Sequence, residues 1–326
     1  RNVSFGCPIG ERFGLLGING AGKTTTLGIL TGDIGKTDGD VYVGGLPISN
    51  SKTKQMIGFC PQVDPLLENL NSFETLWFFG RVRGIPKKIL EKRIEKLIKQ
   101  VGLSKHAPRP CGTYSGGNKR KLSLCVALIG NPKVLFLDEP STGMDPEARR
   151  SMWDAIESVS AQRTIVLVSH SMEECEALCT RIGIMVGGRM KCLGSTQHIK
   201  NRFGASYQIE LRCNLPQYLP KVVELIENAV KDVIIEESHG GFVRFKADSK
   251  MELSDVFNII EKNKETLHIL DYSVSQSTLE QIFIEFARDG NDNPELADGN
   301  GNGNIDGNIN GQDEQGAGPG IAMKSL

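Results

Sequence analysis

The sequence predicts an α/β fold followed by a small α+β domain, and three observations carry that prediction. From Arg1 to about Phe203, short apolar runs alternate with glycine turns and helical patterns. One of those runs leads straight into a glycine-rich loop that opens a helix. From Gly204 to about Asp289 the pattern becomes strand, helix, strand, strand, helix, strand, the order of a split βαβ unit.

Composition narrows the classes. The chain has 326 residues, 39% of them hydrophobic and 24% charged, within the soluble globular range. A net charge of −1 gives no global case for nucleic-acid binding. No apolar run reaches membrane-spanning length; Thr164–Val168 is only strand-sized. The start, Arg-Asn-Val-Ser-Phe, lacks both an initiator Met and a signal-peptide pattern, so the sequence reads as part of something longer. The eight cysteines include no Cys-x-x-Cys pair, which favours reduced, buried thiols over a metal cage or disulfides.

The phosphate loop comes first. Arg12–Leu16 reads as a strand, Gly17-Ile-Asn-Gly-Ala-Gly-Lys-Thr24 has the pattern G-x-x-x-x-G-K-[ST], and a helical pattern continues through Thr25–Leu30. Glycines let the backbone curl so that N–H groups point at phosphate oxygens. The helix N-terminus adds a favourable dipole. Lys23 is then placed to reach the β- and γ-phosphates, and the Thr24 hydroxyl to meet Mg²⁺. The nucleotide-binding candidates are Gly17, Asn19, Gly20, Ala21, Gly22, Lys23, Thr24 and Thr25.

A phosphate loop needs a second strand whose end holds the metal. Lys133–Leu137 is an apolar strand pattern ending in Asp138-Glu139-Pro140. An unbroken apolar run marks the buried centre of a parallel sheet, and ligands bind beyond the carboxyl ends of such strands. Asp138 is the candidate for the metal shell and Glu139 the candidate for polarising the attacking water. Thr164–Val168 is a third such run, ending in Ser169-His170, which sets His170 beside the γ-phosphate.

In the second unit, Leu219, Val222, Val223, Ile226, Ala229 and Val230 fall on one helix face, and Val233–Glu236 and Phe242–Ala247 read as a hairpin. No catalytic cluster is visible there. The tail, 290–326, is rich in Gly, Asn and Asp, and reads as disordered. Asp298-Gly-Asn300-Gly-Asn302-Gly303 partly matches a calcium loop, but Ile309 stands where the bidentate Glu belongs, so low complexity is the better account.

Between the phosphate loop and the acidic strand end lies Tyr114-Ser-Gly-Gly-Asn-Lys-Arg-Lys121, which resembles the signature motif of ABC ATPases. Gln62 in Phe59-Cys-Pro-Gln-Val-Asp64 resembles the Q-loop, Ser141-Thr-Gly-Met-Asp145 the D-loop, and His170 the switch histidine. These motifs, in that order, resemble the A subfamily of ABC transporters, largely lipid transporters, over about Arg1 to Phe203. Tyr272-Ser-Val-Ser-Gln-Ser-Thr-Leu-Glu-Gln-Ile-Phe283 is similar to that subfamily's regulatory segment after its C-terminal nucleotide domain.

The resemblance implies a P-loop NTPase fold over 1–203, with a helical subdomain at about 73–125 and a ferredoxin-like regulatory domain over 204–289. It also implies two nucleotide domains facing head to tail, so that Ser115, Gly116 and Gly117 act in trans on the partner's ATP. Glu139, His170 and Gln62 become the catalytic set, and Thr24, Gln62 and Asp138 the Mg²⁺ set. Transmembrane domains on a cytosolic membrane face, driven by ATP closure and hydrolysis, and a lipid-like substrate complete the expectation. By family spacing, the adenine-stacking aromatic falls before Arg1. Asn118 stands where Gln is usual and keeps the amide. The alternative is a soluble ABC ATPase acting on ribosomes or DNA, but no basic arm, second nucleotide domain or long coiled-coil insertion is present to favour it. The Lys87–Lys99 cluster is interleaved with Glu91 and Glu95, as on a solvated helix face, and nucleic acid is not expected as a partner.

Overall fold

The computed structural model describes residues 2–161, 163–204, 206–230, 233–248, 253–276, 278–292 and 321–324. The chain divides into two units, Arg1–Ser195 with Asp289–Leu326, and Thr196–Arg288. The first unit opens with β1 (Phe5–Cys7), β2 (Arg12–Gly17) and α1 (Lys23–Thr31), then β3 (Asp40–Val43), β4 (Leu46–Pro47), α2 (Ser51–Met56) and β5 (Ile57–Cys60). Three helices follow, α3 (Ser72–Val82), α4 (Lys87–Gln100) and α5 (Gly116–Leu128). The chain then returns through β6 (Val134–Asp138), α6 (Pro146–Val159), β7 (Thr164–Ser169), α7 (Met172–Leu178), β8 (Arg181–Val186) and β9 (Arg189–Gly194).

The central sheet has the order β5-β6-β7-β2-β8-β9, parallel except for β9. Pairing of Cys60 with Leu137, Asp138 with Val168, and Leu15 with Val168 aligns the carboxyl ends of β5, β6, β7 and β2 along one edge. Strand alternation sends Phe13 and Leu15 into a cluster with Leu27 and Leu30 of α1 and with Phe136, Val166 and Val168. Full burial of each large side chain there contributes about 1.5–3 kcal/mol. Gly14 faces the other way, against α7. A Cβ at Gly14 would lie 2.9 Å from the Cys179 Sγ and 3.2 Å from the Cys175 Sγ, so glycine is what lets this helix lie close on the sheet.

The helices around this edge start on polar caps. Asn71 and Glu74 form a capping box at α3, Asp145 accepts from the Ala148 N–H with Pro146 leading α6, and Ser115 and Ser171 cap α5 and α7. In α4, Leu90, Ile94, Leu97 and Ile98 are buried, while Lys87 pairs with Glu91 at 3.9 Å on the exposed side.

The second unit contains α8 (Thr196–Phe203), β10 (Ser206–Cys213), α9 (Leu219–Ala229), β11 (Ile234–His239), β12 (Phe242–Asp248), α10 (Leu253–Asn263), β13 (Ile269–Gln276) and most of α11 (Leu279–Asp292). Its antiparallel sheet has the order β11-β12-β10-β13, the ferredoxin-like arrangement. Ile209, Leu211, Val243 and Phe245 of the sheet pack with Val222 and Ile226 of α9 and with Val256 and Ile260 of α10. The boundary between units falls before α8 and not after Phe203, because α8 joins the second unit: the Phe203 ring meets Phe286 edge-on at 5.1 Å.

The tail departs from its reading as disordered across 290–326. α11 continues to Asp292, and Ile321–Lys324 forms β14, paired antiparallel with both β1 and β3. A short apolar-containing segment there satisfies backbone groups on two facing strand edges. The partial calcium-loop pattern at Asp298–Gly303 lies outside the described residues.

Candidate functional site

The site grows from the aligned strand ends. After β2, the chain turns through Gly20 and Gly22, both left-handed at φ 80° and 98°, and enters α1 at Lys23. A side chain at Gly17 would come within 2.8 Å of the Met185 carbonyl, so the loop closes against the strand beside it. No side chain caps α1 and its first turn has no acid, which leaves its leading N–H groups for an anion. Asn19, Gly20, Thr24 and Thr25 are exposed on this loop, whereas Ala21 and Lys23 are buried. The Lys23 Nζ donates to the carbonyls of Gly17 and Ile18 at 2.7 and 3.1 Å. Burial pushes the Lys23 ammonium below its ordinary pKa, while Glu139 and Asp138 pull the other way.

Asp138 ends β6 and is 7% exposed. Burial and then the charge of Glu139 raise its carboxyl above the ordinary value, against Arg120 and Lys23. Two adjacent acids at one strand end make a locus of negative charge that a divalent cation relieves.

Glu139 sits in the left-handed region at φ 46°, an unusual conformation for a residue with a side chain, and its N–H donates to the Val168 carbonyl at 2.8 Å. That turn aims its carboxylate across the neighbouring strand ends. Its Oε2 accepts from the Gln62 Nε2 at 3.0 Å and from the Thr142 hydroxyl at 3.3 Å, and its Oε1 lies 3.1 Å from the His170 Nδ1. Gln62, Glu139 and His170, which follow β5, β6 and β7, thus meet on one carboxylate. Ser115, Gly116 and Gly117 are different. Ser115 accepts from the Asn118 N–H at 3.4 Å, and among the described residues no hydrogen bond joins the three to Lys23, Asp138 or Glu139.

Arg120 lies in the Tyr114–Lys121 motif, but nothing in the sequence distinguishes it from the lysines on either side. It is 4% exposed and donates to the backbone carbonyls of Pro61, Gln62, Asp138, Glu139 and Pro140, with a further bond to the Asp64 carboxylate at 3.0 Å. One guanidinium therefore ties α5 to the segment carrying Gln62 and to the turn at Glu139. The eight cysteines are free thiols, and all but Cys179 are buried.

The family profile described as "ABC transporter" matches residues 1–142, and that described as "ABCA1-like, C-terminal R1 regulatory domain" matches residues 204–276. The chain is 47% identical over 290 residues to "ATP-binding cassette sub-family A member 2" of Homo sapiens, a match covering 88% of the chain and 12% of that protein. It is 47% identical over 285 residues to "Phospholipid-transporting ATPase ABCA3" of Homo sapiens, covering 85% of the chain and 17% of that protein. A solved "ATP binding subunit of ABC transporter" superposes with a TM-score of 0.54 at 26% identity, covering 60% of this chain and 83% of that one. A "Dimeric structure of a post-hydrolysis state of the ATP-binding cassette MJ0796 bound to ADP and Pi" superposes at 0.53 and 20% identity, covering 60% of this chain and 97% of that one, and shares the fold.

The fold and these matches define an ABC-type ATPase domain followed by a small R1-like domain. The chain belongs to the A subfamily of the ABC transporter family. It spans between 12% and 17% of the length of these two curated relatives.

Proposed function

We propose that this chain supplies ATP-driven closure to a membrane transporter of lipid or another amphipathic substrate. The observation that carries the reading is the meeting of Gln62, Thr142 and His170 on the Glu139 carboxylate, at the same sheet edge as the loop that opens α1. In this reading, the leading N–H groups of α1, the loop residues from Gly17 to Thr25 and the Lys23 ammonium hold the triphosphate. Glu139 accepts a proton from the attacking water, His170 orients Glu139 and the γ-phosphate, and Gln62 senses the site. Mg²⁺ fits Thr24, Asp138 and Gln62, which offer a hydroxyl, a carboxylate and an amide oxygen, the hard oxygen donors this cation takes alongside phosphate and water. The cation would neutralise charge on the transferring phosphoryl group.

The partner is a second nucleotide-binding domain, met head to tail, with Ser115, Gly116, Gly117 and the N-terminus of α5 directed at its ATP. Transmembrane domains are the other partner. Among the described residues no helix is long and apolar enough to cross a membrane. On α3, Phe73, Trp77, Phe78 and Val82 stand 41–70% exposed at helical spacing, and Val63 beside Gln62 is 81% exposed. Such apolar surface suits a membrane-domain segment docking at the cytosolic face.

The test is the mass of the Glu139→Gln chain by light scattering, with and without Mg-ATP. The expected result is a dimer only with ATP, and a monomer when Ser115→Arg is added although ATP still binds. An ATP-bound monomer without the second substitution sinks the head-to-tail reading.

A further inference from the structure

We infer that Glu174 is a positioning residue for hydrolysis, holding the loop after Glu139 and the strand end before His170 at a fixed separation. The inference rests on the roles proposed for Glu139 and His170. Glu174 is 1% exposed. Its Oε1 accepts from the Ser141 hydroxyl and its Oε2 from the Ser169 hydroxyl, each at 2.6 Å. Those lengths are typical of hydroxyl-to-carboxylate bonds, and a carboxylate this deep is tolerated only when both oxygens are satisfied.

The two hydroxyls sit on the segments that matter. Ser169 ends β7 and immediately precedes His170, and its Oγ also accepts from the Ser171 N–H at 3.0 Å. The Ser171 hydroxyl in turn accepts from the Glu174 N–H at 3.3 Å. The segments on either side of His170 are thus bridged by bonds that close through Glu174. Ser141, itself 4% exposed, lies two residues beyond Glu139, in the loop whose Thr142 hydroxyl also reaches the Glu139 carboxylate. A single buried carboxylate therefore clamps both segments, and the outcome of that clamp is the 3.1 Å contact between Glu139 and His170. The helix carrying it, α7, reaches this depth because Gly14 leaves room for Cys175 and Cys179. The Glu174 carboxylate bonds to the two serines and not to Lys23, Asp138 or Glu139, so it acts through its neighbours.

The experiment compares Glu174→Gln and Ser169→Ala in the full chain. It measures ATP affinity, kcat, KM and the proton NMR resonances of the five histidines, with His170 assigned from His170→Asn. The amide of Gln can accept from only one serine, and Ser169→Ala removes one arm of the clamp without adding strain. Both variants are expected to bind ATP within about twofold of wild type, to lose kcat by roughly 10- to 100-fold, and to shift the His170 resonance while the other four stay in place. Unchanged kcat with an unmoved His170 resonance in both variants overturns the inference. So does a loss of ATP affinity with all five resonances displaced, which marks a folding role. If His170→Asn itself turns over normally, the proposed site chemistry fails, and the His170 resonance alone then decides whether Glu174 holds this loop.

Discussion

Glu139→Gln is expected to bind ATP as wild type does and to lose turnover by about 10²–10⁴, the usual contribution of a positioned acid–base group. That factor corresponds to roughly 3–5.5 kcal/mol of activation free energy. The substitution keeps the shape of the side chain and leaves an amide oxygen to accept from Gln62 and Thr142, so the turn at φ 46° has no reason to collapse. What it removes is the negative charge facing the His170 Nδ1 and the capacity to take a proton. Steady-state phosphate release together with a fluorescent-nucleotide titration separates the two effects. Turnover within about threefold of wild type would mean that another group handles the water.

Lys23→Ala is expected to weaken ATP binding by roughly 100-fold or more, about 3 kcal/mol, the loss typical of removing one partner from a desolvated charge contact. Lys23 is 6% exposed, and burial already disfavours its ammonium. A buried ammonium held on the carbonyls of a glycine loop that opens a helix makes physical sense when that loop receives an anion. The thermal midpoint without nucleotide should move little, because the lost bonds to the Gly17 and Ile18 carbonyls are offset by no longer burying a charge. Calorimetric titration with ATP checks the prediction, and near-normal affinity refutes the assignment of the phosphate loop.

Much of this site was legible because its chemistry is local in sequence. A strand, a glycine loop and a lysine-led helix announce a phosphate cradle without reference to any distant residue. The apolar run before Asp138 announces a central strand for the same reason. The ferredoxin-like order of the second unit followed from amphipathic periodicity, since α9 and α10 each bury one face only.

What the sequence hid is long-range. Arg120 stands between two lysines on α5 and looks like a solvated charge. The helix is in fact buried along Arg120 and from Leu122 to Leu128, so no amphipathic stripe distinguishes inside from outside. Glu174 is similarly masked by Glu173 and Glu176, which share its charge; only its burial against Ser141 and Ser169 sets it apart from the exposed Glu173. β14 was invisible because its partners, β1 and β3, lie almost the whole chain away.

The guanidinium of Arg120 has a consequence for how paired sites communicate. Its bonds fasten the helix that begins at Gly116 to the backbone of Gln62 and Glu139, so any displacement of one is expected to carry the others with it, as a lever. In the head-to-tail pair proposed above, the tip of that lever would meet the partner's nucleotide while its base would hold this chain's own. Occupancy of one site is then felt at the other as coupling free energy, and ATP binding is expected to be cooperative, with a Hill coefficient above one. Arg120→Met should bring that coefficient toward one in a binding titration while each site still accepts ATP; an unchanged coefficient would show that the lever transmits nothing.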